Sequence, residues 1–461
     1  MRRILTDQHQ GAITQSGAVH GLGGIGKSTL ALHYAHRYRS DYSLIWWLKA
    51  ASPDEIEASL ASLARTLVPG WAARAERSAQ SSWAMQWLAW HSGWLLIYDN
   101  VENPDDLAPY IGVLHQGHHL ATSRCTTGWP GSTATLALGE LDPDAAADLL
   151  CRLALGDSAP TARQRADAGA LAADLGYLPL AIKAAGVYLA QNRGVSLDAY
   201  RHRLAALSST THGISAESTI ARTWDVTLQA LERADPLAAE LVHTAAWLAP
   251  EGIPIALLSP LGVDPDDVSD ALSTLAAYGI VTLSGTNLSI HRLIQTVLRT
   301  DHPAHLQGRK RAEQAVLHAL LPPRGHSTAD EAQWDSLTPH LLALAATTAP
   351  GRSNSSLTDA YAAAASRLYK QGQAFRATPL LEAILTQREQ VLGDTHPDTL
   401  ASRKSLASAY YAAGDLGRAI PLFEATVAQY EQVLGDTHPD TLASRKSLAG
   451  AYYAAGDLGR A

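Results

Sequence analysis

The stretch GLGGIGKSTLALHYAHRY (Gly21–Tyr38) admits two readings. As G-x-G-x-x-G, with Gly21, Gly23 and Gly26, it is a dinucleotide fingerprint; as G-x-x-x-x-G-K-S, with Gly21, Gly26, Lys27 and Ser28, it is a triphosphate-binding P-loop. The flanks decide. A dinucleotide site needs an acidic residue at the end of the next strand, about 20 residues on, to hold a ribose hydroxyl. That strand, within YSLIWWLKA (Tyr42–Ala50), ends in Leu48, Lys49 and Ala50, and Asp41 stands before it. The P-loop reading finds its second element, because the apolar run Trp94–Tyr98 leads directly into Asp99. The backbone amides of Gly21, Leu22, Gly23, Gly24, Ile25, Gly26 and Lys27 are then expected around the phosphates, with Thr29 completing the set. The Lys27 ammonium would bind the β and γ oxygens, and the Ser28 hydroxyl would take Mg²⁺, which Asp99 holds through water.

Around this stretch, strand-like and helical segments alternate. GAVH (Gly17–His20) precedes the glycines and STLALHYAHRY follows at helical spacing. YSLIWWLKA is continuously apolar, as a strand buried on both faces would be. It is followed by SPDEIEASLASLARTL, where Ser52 and Glu55 predict a capping box. GWLLIYDNVENPDDL supplies a third strand and HHLATSRC a fourth, ending at Arg124. Such alternation predicts a parallel sheet, with ligands at the carboxyl ends of the strands, where Gly21, Asp99 and Arg124 fall.

From about Leu141 the strand signals stop. DPDAAADLLCRLA, RADAGALAADLG and LPLAIKAAGVYLAQN predict a small helical domain, and a polar break follows at SSTTHGISAEST (Ser208–Thr219). Three helices and then IVTLSGTNLSIH, a hairpin turning at Ser284, Gly285 and Thr286, are the ingredients of a winged helix. Further on, VLGDTHPDTLASRKSLA begins at Val391 and again at Val433, a period of 42 residues. Each copy reads as two helices joined at a turn, Gly414 and Asp415 in the first. A diverged copy spans Ala360–Gln390. A two-helix repeat buries its apolar face only by stacking, so this part is an α-solenoid. The last copy stops where its second helix should begin, so the chain is read as truncated there.

The chain has 461 residues, 46% hydrophobic and 17% charged, with a net charge of -8. That length implies roughly three or four domains, and that charge argues against a nucleic-acid-binding surface. The two cysteines, Cys125 and Cys151, cannot build a disulfide framework. No apolar h-region opens the chain and no run of about 18 apolar residues follows, so a soluble, cytoplasmic protein is expected.

The order of motifs resembles that of bacterial, actinobacterial-like NB-ARC proteins of the STAND class of P-loop switch ATPases, with C-terminal tetratricopeptide repeats (TPR) of the kinesin-light-chain kind. The resemblance covers nearly the whole chain. It rests on GLGGIGKSTLA, on LLIYDNV as the Walker B strand, on LATSR as the sensor strand, on GYLPLAI and on LSIHRLIQ. It implies a multidomain α/β plus α architecture: a P-loop domain (residues 1–140), a helical lid (141–207), a winged helix (208–305), a helical linker (306–355) and a TPR array (356–461). It also implies that Arg124 senses the γ-phosphate, that Pro179 packs on adenine, and that His291 reaches the β-phosphate of ADP. Three departures stand out. Arg292 follows His291 where the family commonly carries an aspartate. Asn100 follows Asp99 where an acid would activate water, leaving Glu102 as a weak substitute and at most slow ATP hydrolysis. No glycine-arginine element precedes Gly17, so the amino terminus is read as incomplete.

HQGHH (His115, His118, His119) lacks a cysteine or carboxylate partner at ligand spacing, and no metal site is read there. Tyr410, Tyr411 and Phe423 sit at helix-packing spacing and are expected in the repeat core. The function this suggests is an ADP/ATP-binding signalling switch, whose repeats capture a protein partner and whose exchange of ADP for ATP drives opening and homo-oligomerisation. Two alternatives are a winged-helix transcriptional regulator and a repeat scaffold with a vestigial nucleotide site. The recognition helix of the former, DVSDALSTLAAYG, is acidic and lacks Lys or Arg, so DNA is not an expected partner, nor is a membrane.

Overall fold

Strand β3 (Trp94–Val101) runs through the centre of the amino-terminal sheet with its first five residues fully buried. The computed structural model describes residues 15–21, 24–129, 133–207, 216–259, 263–299, 303–320, 328–347, 355–457 and 459–460. With β1 (Gln15–His20), β2 (Leu44–Lys49), β4 (His118–Ser123) and β5 (Thr133–Ala137) it forms a five-stranded sheet in the order β2-β3-β4-β1-β5. Every pairing is parallel. Four of these strands are read in the sequence. β5 is short and mostly exposed, too weak a hydrophobic signal to stand out.

Helix α1 (Lys27–Arg37) covers one face of the sheet, where Val19, Leu95, Ile97 and Leu120 pack with Ala31 and Tyr34. Helices α2 (Pro53–Leu67) and α3 (Arg77–Trp90) cover the other, where Leu96, Tyr98 and Ala121 meet Ile56, Leu60 and Leu88. Side chains alternate along a strand, so position parity assigns faces. Leu95, Ile97 and Asp99 share the α1 face, as do Leu120 and Thr122. The same parity separates two neighbouring histidines. The His118 ring meets the Tyr42 hydroxyl at 2.9 Å on the α1 face, while His119 is buried on the other beside Tyr98.

The cap of α2 is half the expected box. The Ser52 side chain accepts from the Glu55 amide, but the Glu55 carboxylate reaches the amide of Ala51 instead of that of Ser52. Helices α4 (Pro143–Leu155), α5 (Ala162–Asp174), α6 (Pro179–Gln191) and α7 (Leu197–Leu207) follow the sheet. Helix α8 (Ala216–Ala234) packs on α6 and α7. The chain divides into two compact units, the first running to Ala234 and including Ala277–Gly279, the second holding the remainder.

In the second unit, α9 (Pro236–Ala245) precedes a short antiparallel sheet of β6 (Ile253–Pro254), β7 (Val281–Ser284) and β8 (Asn287–Ile290), in the order β6-β8-β7. Helix α10 (Pro265–Ala277) precedes the β7–β8 hairpin, and Gly285 with φ 57° supplies its turn. Helix α11 (Arg292–Leu298) follows, then α12 (Pro303–Leu320) and α13 (Thr328–Ala346), which pack on each other; α12 also packs on α9.

The repeats comprise α14 (Ser355–Lys370), α15 (Ala374–Leu392), α16 (Pro397–Ala412), α17 (Leu416–Leu434) and α18 (Pro439–Ala454), each packed on the next. Tyr410, Phe423, Leu406 and Ala451 share one core cluster. Tyr411 does not join them. It is 40% exposed, because a residue one step from Tyr410 is turned about 100° around the helix. The Tyr410 hydroxyl donates to the Glu382 carboxylate, and one period on Tyr452 donates to Glu424. Among the described residues no helix is long and apolar enough to cross a membrane.

Candidate functional site

The polar residues of the P-loop sequence converge at the carboxyl edge of the parallel sheet. Gly21 leaves β1 at φ 152°, and a Cβ built there would lie 2.4 Å from the carbonyl oxygen of Leu138, so the close approach of the backbone beyond β5 requires glycine. At Gly24, φ is 77° and a Cβ would stand 2.9 Å from Leu180. Leu180 follows Pro179, the first residue of α6, so the turn before this helix brings the loop and GYLPL into contact. Ile25 is buried, and Gly26 stands at the N-cap of α1. Leu22 and Gly23 lie outside the described residues.

No side chain caps α1 and no acid occupies its first turn, which includes Lys27, Ser28 and Thr29. A helix start of this kind directs backbone amides and the positive end of the helix dipole outward, the arrangement that receives an anion. The Lys27 ammonium donates to the Gly21 carbonyl at 2.7 Å, across the loop. Its pKa is lowered, by burial first and by the Arg124 charge second, with Asp99 opposing. Arg124 itself is exposed, one residue beyond β4.

Asp99 Oδ1 accepts two hydroxyl hydrogen bonds, from Ser28 Oγ at 2.7 Å and from Thr122 Oγ1 at 2.6 Å. The sheet order explains this, since β4 lies between β1 and β3 and its carboxyl end sits beside both. The serine hydroxyl and the carboxylate together form a hard-oxygen donor pair of the type Mg²⁺ takes. Thr122 is missing from the sequence reading. Its signal is parity, because it lies two residues before Arg124 on the face shared with Asp99. Asn100 follows at φ 61°, a left-handed conformation that Asn tolerates better than most residues, and the β3–β4 register shifts there.

Of the predicted site residues, Gly21, Gly24, Ile25, Gly26, Lys27, Ser28, Thr29, Asp99, Arg124 and Pro179 all fall in the first unit. His291 falls in the second. It caps α11, its Nδ1 accepting from the Leu293 amide at 3.2 Å. Glu102 is exposed, and its backbone carbonyl accepts from Cys125 Sγ.

A tetratricopeptide repeat family model matches residues 359–430 and 405–461. A nucleotide-binding leucine-rich repeat (NLR)-like protein of Hyaloscypha variabilis is 26% identical over 433 residues, 84% of this chain and 42% of that protein. The regulatory protein AfsR of Streptomyces griseus is 28% identical over 280 residues, 59% of this chain and 28% of that protein. The chain thus spans under half the length of these curated relatives. A solved STAND protein with a tetratricopeptide repeat sensor, from Pyrococcus horikoshii, superposes with a TM-score of 0.45 at 11% identity, covering 96% of this chain and 69% of that one. The P-loop, the strand-end aspartate, the sensor strand and the repeats stand in order along a chain that is similar to an NLR-like protein over most of its length and carries tetratricopeptide repeats towards its carboxyl-terminal end.

Proposed function

We propose that this chain is a nucleotide-gated signalling switch whose P-loop holds ADP in a resting state and exchanges it for ATP on activation. The observation that carries the reading is the Ser28–Asp99 hydrogen bond of 2.7 Å beside the Lys27 ammonium, at an uncapped helix start. In this proposal the α1 amides and Lys27 bind the phosphates, while Ser28 and Asp99 hold Mg²⁺, which screens phosphate charge when bound. Arg124 senses the γ-phosphate and Pro179 packs on adenine.

His291 is proposed to couple nucleotide state to the second unit. A contact of one histidine with a phosphate biases a two-state arrangement by about 1 kcal/mol, enough to shift populations several-fold. Turnover is expected to be slow because Asn100 and the exposed Glu102 leave no well-placed base. The repeats are proposed to capture a protein partner, and ATP binding to promote self-association. A DNA-reading role for α10 is disfavoured by Asp266 and Asp267 in its first turn.

The test is partner-independent. Wild type loaded with ADP or with ATP should differ in protease sensitivity and in sedimentation, and Lys27→Ala should abolish the difference. Identical behaviour with both nucleotides would rule out a switch.

A further inference from the structure

We infer that Thr122 is a positioning residue for the aspartate that holds Mg²⁺, an inference that rests on the nucleotide-site reading above. The Thr122 side chain is 1% exposed at the end of β4. Its hydroxyl accepts from the Asn100 amide at 3.0 Å and lies 2.6 Å from Asp99 Oδ1. An amide can only donate, so it occupies a lone pair of the hydroxyl, and the hydroxyl proton is left to point at the carboxylate.

Two consequences follow from that polarity. First, Thr122 and Ser28 both donate to Oδ1, so the carboxylate is pinned from the end of β4 and from the first turn of α1, with Oδ2 outside both bonds. Second, the same oxygen stabilises the backbone at Asn100, whose φ of 61° breaks the β3–β4 register immediately after Asp99. The Asn100 side-chain amide is buried there without a hydrogen-bond partner. Thr122 thereby links the orientation of Asp99 to the shape of the turn that follows it. Partners that orient a metal-holding group commonly change metal affinity by about 10–100-fold when removed.

The experiment compares ADP and ATP affinities by calorimetry in Mg²⁺ and in excess EDTA, for wild type, Thr122→Val and Thr122→Ser. Valine keeps the shape and removes both hydrogen bonds, whereas serine keeps the hydroxyl. The expected result is a Mg²⁺-dependent gain in ATP affinity that falls at least about tenfold in Thr122→Val. The EDTA affinities should stay unchanged, and Thr122→Ser should recover most of the gain. A merely structural role would lower both affinities together and leave the ratio intact, which overturns the inference. Should Thr122→Val melt early, Thr122→Ser still tests it: a serine variant that melts like wild type yet loses the Mg²⁺ gain overturns the inference. A wild type that binds both nucleotides with no Mg²⁺ effect overturns it while sparing the P-loop reading. A wild type that binds neither removes both.

Discussion

The P-loop region and the repeat array encode their structures in opposite ways. At the P-loop, single residues hold positions that nothing else in the chain can supply, such as Gly21 against the Leu138 carbonyl and Asp99 under two hydroxyls. In the array the same contacts recur one period apart, Tyr410 on Glu382 and Tyr452 on Glu424, with Arg418 and Arg460 over the respective rings at 4.3 and 4.7 Å. The first arrangement concentrates chemistry at one point; the second spreads stability along neighbours. Damage should therefore be local and severe in one region, distributed and position-dependent in the other.

The largest effect is expected from Gly21→Ala. A Cβ there meets a backbone oxygen at a φ that L side chains rarely adopt, and the cost should be about 4 kcal/mol. Thermal unfolding followed by hydrogen exchange should show the sheet destabilised while the repeats keep their protection. Equal loss in both regions would break the comparison.

Next comes a pair of substitutions within the array. Leu400 and Leu442 occupy equivalent positions, yet Leu400 is fully buried and Leu442 is 51% exposed. Leu400→Ala should cost about 3 kcal/mol and Leu442→Ala under about 1 kcal/mol in denaturant melts. Equal costs would mean that sequence identity, and not burial by neighbours, sets stability there.

A third test uses acid. His119 is 1% exposed, Nε2 facing the Leu114 carbonyl and Nδ1 the Tyr98 hydroxyl, and burial lowers its pKa from 6.5 to about 4. The unfolded chain therefore takes up the proton first. The stability this neutral ring contributes is fully present above pH of about 6.5 and is lost as the pH falls towards about 4. Between pH of about 7.5 and 5 the sheet should lose about 2 kcal/mol that His119→Gln does not lose. No histidine of α14–α18 is buried, so the repeats should not share this loss. The smallest effect is expected from Tyr410→Phe and Tyr452→Phe, each of which removes one hydroxyl bond to a carboxylate and should shift the denaturant melt only slightly and by similar amounts.

Much of this contrast is legible in the amino-acid sequence. Eight consecutive residues specify the P-loop, and the exact recurrence of VLGDTHPDTLASRKSLA specifies the array, because both patterns are dense and unbroken. The pairing of Ser28 with Asp99 follows once Asp99 is placed at a strand end. What escapes a linear reading depends on sheet order. Thr122 joins the site only because β4 lies between β1 and β3, and Tyr411 leaves the core only because Tyr410 takes the buried side of α16. Strand β5 escapes because five residues with one strongly apolar side chain give little periodicity. The left-handed turn at Asn100 recasts a missing acid as a backbone requirement.

The central claim is that the P-loop retains adenine nucleotide. Its most direct test is to denature the purified protein, identify the released nucleotide by chromatography, and compare wild type with Lys27→Ala. Near-stoichiometric ADP from wild type and none from the variant is the predicted result. No adenine nucleotide from either, together with no binding when ADP or ATP is added, would contradict it and leave the repeats as the functional part of this chain.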